Sequence, residues 1–162
     1  MINLHEREKY QRLFMPENPE EAEKRHQNFI TEIVKNKTVW GLTTTKRWAT
    51  SSSSFFKKVE VMPFWSEEKL AISCAKDQWK GYLAGAIPLG EFLENWCAGL
   101  YEDHFLAGTN WTADLFGKES EPLDLIIEII DEIKKQKTEL KLEHFESLEH
   151  LEEQVRDMIS DE

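Results

Sequence analysis

The chain has 162 residues, 40% of them hydrophobic, eighteen aromatics and a net charge of −11. That length fits one domain with extensions, and the acidity argues against nucleic acid, whose recognition needs a basic face. The first eight residues hold no apolar run that could be a signal peptide, and no stretch approaches the length of a bilayer span, the longest candidate being broken by Glu128 and Asp131. A cytoplasmic protein with no membrane partner is therefore expected, and Cys74 and Cys97, each among apolar neighbours, read as buried thiols rather than a disulfide.

Residues 2–14 have sparse apolar points and suggest a short N-terminal helix. Asn18-Pro19-Glu20-Glu21 starts a second one, with a capping side chain, a first-turn proline and acids at the positive end of the dipole. Its apolar stripe is Ala22, His26, Phe29, Ile30, Ile33 and Val34. The runs 38–43, 47–51 and 58–63 are β-branched and aromatic, and predict a three-strand antiparallel meander, with 51–54 as loop or edge and Pro63 closing the last strand. A helix capped at Ser66 should run to near Asp77, and residues 81–87 read as a strand or extended passage. Leu89, Phe92, Leu93, Trp96, Cys97 and Leu100 then mark an amphipathic helix, with Glu91, Glu94 and Asn95 outward. Asp103-His104 turns it into a strand over 105–111.

Pro122 opens a further helix with Leu123, Ile126, Ile127, Ile130 and Ile133 on one side, and a last helix after Thr138 carries Phe145, Leu148, Leu151, Val155 and Met158. The final segment, 139–162, has nine acids against two bases and holds −7 of the net charge. Such a tail either meets a basic partner or is a solvated face, and solvation is the preferred reading. Its apolar stripe packs back on the domain or joins two copies through 139–160; packing back is preferred, because short helices need tertiary support.

All six tryptophans and all seven glycines fall between Trp40 and Gly117. This locates one turn-rich unit of about eighty residues with large side chains to bury. The fold class expected is α+β, a mixed, largely antiparallel sheet of about five strands packed by helices. The domain spans 1–118, with its core over 22–115, and an acidic helical extension, 119–162, packs on it.

No catalytic set is apparent. Glu23-x-x-His26 matches half of a di-iron element but has no second copy, so no metal or cofactor is expected. The pairs Glu91/Glu94 and Asp103-His104 read as solvated groups. Trp40, Trp48, Trp65 and Trp96 fit interior or half-interior positions, whereas Trp79 and Trp111 are less obviously inside and could mark a binding surface. The binding candidates are thus Trp79, Tyr82, Asp103, His104 and Trp111. A non-enzymatic module that binds another protein, with a basic protein among the candidate partners, is the preferred function, and immunity proteins that neutralise toxins share its gross features by analogy. The alternative is a small-molecule or catalytic cleft near Trp79, Tyr82, Asp103 and His104.

The motifs Arg25-His-Gln-Asn-Phe29, Val39-Trp40-Gly-Leu42, Trp48-Ala49, Met62-Pro-Phe-Trp65, Trp79-Lys-Gly-Tyr82, Ile87 to Trp96 and Leu100-Tyr-Glu-Asp103 resemble a family known as domain of unknown function 2750. The resemblance covers residues 22–115 and implies a small cytoplasmic bacterial domain with no assigned activity, cofactor or catalytic residue. This chain departs from the family pattern at His104, where glycine is favoured in the turn, and in the 51–54 loop.

Overall fold

A computed structural model describes residues 19–162; the helix expected over 2–14 lies outside them. The architecture is α+β. In chain order the elements are α1 (Pro19–Asn36), β1 (Thr38–Thr43), β2 (Ser51–Ser52), β3 (Glu60–Phe64), α2 (Glu68–Ser73), β4 (Leu83–Pro88), α3 (89–102), β5 (Leu106–Thr109), β6 (Lys118–Ser120), α4 (Pro122–Gln136) and α5 (Leu148–Ser160). The stripe expected on α1 is buried residue for residue, from Ala22 to Val34. Its acids at Glu20 and Glu21 and Lys35 in its last turn both suit the helix dipole.

The strands form two sheets. β1 pairs antiparallel with β4, with Gly41 opposite Gly85. The other sheet has the order β2-β3-β5-β6, in which β3 and β5 run parallel and the remaining pairs antiparallel. The meander expected over 38–63 is therefore divided. β1 belongs with β4 and touches the larger sheet through a bridge between Trp40 and Trp65, where each backbone N–H donates to the other's carbonyl at 2.8 and 2.7 Å. The run 47–51 supplies one bridge, Trp48 to Thr43, and the edge strand begins at Ser51. Four serines in a row carry too little apolar area for periodicity to show a strand, and β6, three residues long, left no signal either.

Side chains alternate across the β1–β4 ribbon and divide the apolar interior in two. Val39 and Ile87 join α1, α3, α4 and α5 in the larger cluster, centred on Phe29, Phe64, Phe92, Ile126, Ile129 and Ile130. Leu42 faces the opposite way, into a smaller cluster with Trp65, Ala71, Cys74, Trp79, Leu106 and Trp111. Leu151 and Val155 of α5 are buried in the larger cluster, so the C-terminal stripe packs back within the chain.

α3 is one helix with a fault in it. Leu89–Glu91 and Cys97–Glu102 are α-helical, and Phe92–Trp96 between them forms a π turn, closed by the Cys97 N–H donating to the Phe92 carbonyl. Such turns insert a residue and often accompany functional surfaces. Here the turn contains Glu94, expected outward but 9% exposed. Its carboxylate accepts from the backbone N–H groups of Glu143 at 3.0 Å and His144 at 2.8 Å. The segment between α4 and α5 is thereby strapped across α3, and the last helix begins at Leu148 rather than near Thr138.

Candidate functional site

One face of the second half of α3 carries Trp96, Gly99, Leu100 and Asp103 at spacings i, i+3, i+4 and i+7, which a helix aligns. Together with Asn95 on the same helix, Met62 of β3 and Phe105 at the start of β5, they line an open cleft of about 310 Å³. Met62 is paired with Ala107 in the parallel β3–β5 register. Trp96 is half-buried and held edge-on by two rings, Trp48 at 4.6 Å between centroids and Phe64 at 6.0 Å. Both contacts have the T-shaped geometry that aromatic quadrupoles favour, so the cleft has a rigid indole wall. Gly99 borders open space, since a Cβ there would meet nothing within 4 Å.

The cleft has one acidic lining residue, Asp103, at the end of α3. Glu102 and Asp103 sit at the C-terminus of α3, whose last turn has no basic residue. The helix dipole is negative there and disfavours carboxylates. Asp161 and Glu162, which follow α5, reach the same helix end: the Tyr101 phenol is pushed up by partial desolvation and then by Glu162 and Asp161. A concentration of acids where local electrostatics oppose them is a feature that stability does not explain.

Among the sequence candidates, Asp103 lies on this cleft. His104, next to it, is exposed and sits at φ 60°. It occupies the left-handed position of a Schellman turn: its N–H donates to the Tyr101 carbonyl at 3.2 Å, and Phe105 N–H to that of Leu100 at 2.9 Å. That geometry is what glycine provides without strain. Trp79, Tyr82 and Trp111 are not part of the cleft lining. They belong to the smaller cluster, Tyr82 at its margin.

Trp79 and Trp111, expected to be less interior than the other indoles, are 2% and 4% exposed. At Trp111 the polar neighbour in sequence misled, because Asn110 is buried and serves inward. Asn110 accepts from Ser66 N–H at 2.9 Å and donates to Ser66 Oγ and the Arg25 carbonyl, while Trp111 Nε1–H donates to the Lys118 carbonyl at 3.0 Å. Conversely, Met62, Asn95, Trp96, Gly99, Leu100 and Phe105 were not singled out as site residues. The signal available was a glycine set within an otherwise strong amphipathic helix.

His26 invites a catalytic reading and does not sustain one. Its Nε2 is 2.8 Å from Glu128 and its Nδ1 2.7 Å from Thr109 Oγ1, the acid–base–hydroxyl order of a hydrolytic triad. His26 and Thr109 are both fully buried, so no substrate reaches the hydroxyl. The trio instead joins α1, β5 and α4. Neither thiol is an activated nucleophile either, since burial pushes both Cys74 and Cys97 up. Among the described residues no three His, Cys, Asp or Glu side chains converge as a metal site, and no helix is long and apolar enough to cross a membrane.

Two packed apolar clusters split by a β-ribbon, with an indole-walled cleft at one helix end, define a small α+β domain. The chain belongs to the family described as protein of unknown function DUF2750, whose profile matches residues 26–129. The match extends through β6 into α4, beyond the stretch that carried the resemblance. No curated protein and no solved structure matches the chain.

Proposed function

We propose that this protein is a non-enzymatic recognition module that takes an apolar side chain with a neighbouring basic residue, displayed by a partner protein, into the Trp96 cleft. The observation that carries this reading is the pairing of a rigid apolar wall with an acidic helix end. Cofactor and drug-sized ligands occupy pockets of roughly 300–1,000 Å³, and a cleft of about 310 Å³ is at the bottom of that range. It suits a single anchor side chain, the kind of contact that dominates protein interfaces. Glu102 and Asp103 would then meet the partner's cation, and the net charge of −11 favours encounter with a basic surface.

Fluorescence anisotropy with short labelled peptides tests this. Peptides pairing Leu or Phe with Arg should bind, the same peptides with Glu in place of Arg should not, and Asp103→Lys should weaken binding at least tenfold. Binding that is indifferent to the peptide's charge, or to Asp103→Lys, would contradict the assignment.

A further inference from the structure

The outer edge of β4 carries a second, independent recognition feature. The bridge from Trp40 to Trp65 and the bond from Ala49 N–H to the Leu42 carbonyl fix which backbone groups of β1 point away from β4. By alternation, Val39, Gly41 and Thr43 face β4, so their partners Ile87, Gly85 and Leu83 use their N–H and C=O groups inward. Ala84 and Ala86 therefore turn theirs to the outer edge, and among the described residues none of these four groups has a partner. α2 packs on both strands of the ribbon, and on β4 Ala84 is half-buried and Ala86 exposed. Leu83 is 73% exposed on β4 and Ile72 of α2 54%. The strand bears no charge or bulge, and its one edge protection, Pro88, stands at its end, beyond Ala84 and Ala86.

We infer that this edge pairs with the same edge of a second copy. Ala84 and Ala86 are symmetric about Gly85. An antiparallel pairing with Gly85 opposite Gly85 on a twofold axis sets Ala84 against Ala86 of the other copy twice, and all four orphan groups are satisfied by isologous exchange. Alanine and glycine at the axis let the backbones approach closely. The same register brings the turn with exposed Lys80 towards the helix start with exposed Glu91 of the other copy, opposite charges at both ends of the seam. The result is a continuous four-stranded sheet, β1-β4-β4-β1, and two Trp96 clefts in one particle. An extended foreign peptide could use the same edge, but the symmetry of its donors and acceptors about one glycine favours self-pairing.

Sedimentation across the micromolar range tests this on the full chain. Wild type should sediment at twice the 19.1 kDa chain mass. Ala86→Pro removes an outward N–H at a place where an edge strand tolerates proline, and should sediment as a monomer. Should that variant fail to fold, amide exchange on the wild type decides: protection at Ala84 and Ala86 must rise with protein concentration. A monomeric wild type, a dimer that survives Ala86→Pro, or exchange at both amides that ignores concentration would each overturn the proposal. None of these outcomes bears on peptide binding at the Trp96 cleft, so the two readings stand or fall separately.

Discussion

Gly85 in β4 and Gly108 in β5 each face an indole ring at a distance that leaves no room for a methyl group. A Cβ at Gly85 would lie 2.7 Å from Trp48, and one at Gly108 2.5 Å from Trp111. This is part of the physical content of the shared Trp and Gly range in the sequence: four of the seven glycines, Gly41, Gly85, Gly108 and Gly117, are seats for rings. Trp48 is wedged between the ribbon and Trp96, so Gly85→Ala should cost about 1–3 kcal/mol by overpacking. Gly99→Ala, which meets nothing and sits in a helix, should gain up to about 1 kcal/mol. Thermal denaturation of the two variants checks the contrast. His104 is the other residue whose backbone decides its effect. Replacing it by glycine relieves the left-handed conformation and should stabilise the fold by about 1 kcal/mol. A loss of stability would instead mean that the imidazole makes a contact worth keeping. The departure from the family pattern at His104 was legible in the sequence, whereas its left-handed backbone became plain only from the Schellman turn.

At the level of elements, α1 and α4 were readable because their apolar stripes are long and regular and begin at proline. The strap between α4 and α5 was not, because it is held by a backbone-to-carboxylate contact with no periodicity. Glu94 looked like one more acid on a polar face. Glu94→Gln keeps the shape but loses the charge and one acceptor, and should destabilise by about 1–3 kcal/mol, since bonds to charged groups exceed neutral ones. Hydrogen exchange should quicken first at the Glu143 and His144 amides. α5 is docked electrostatically as well: Lys134 and then Arg156 hydrogen-bond the Glu152 carboxylate and hold it below its ordinary value of 4.5. A depressed carboxylate stabilises the fold above its unfolded pKa and loses that contribution as pH falls through the lower folded value. The melting temperature should therefore fall as pH drops below 4.5, and Glu152→Gln should remove part of that slope. Identical slopes in both proteins would show that the contact does not bear on folding.

On the scale of the whole molecule, the α+β class and the largely antiparallel strands followed from alternation and helical period, while the division into two sheets did not. Pairing of β1 with β4 spans some forty residues of chain, and short-range patterns do not report it. The cleft was missed for a related reason. Its walls come from β3, α3 and β5, and what distinguishes it is the convergence of Met62, Trp96 and Phe105 in space. The measurement that bears most directly on the recognition reading is an NMR titration with an Arg-Leu-containing peptide, following the six indole N–H resonances. The Trp96 signal should shift in a saturable way while those of the buried Trp79 and Trp111 stay fixed, and Gly99→Leu, which fills the cleft, should abolish the shift. No shift at Trp96, or the same shift in Gly99→Leu, would contradict the account.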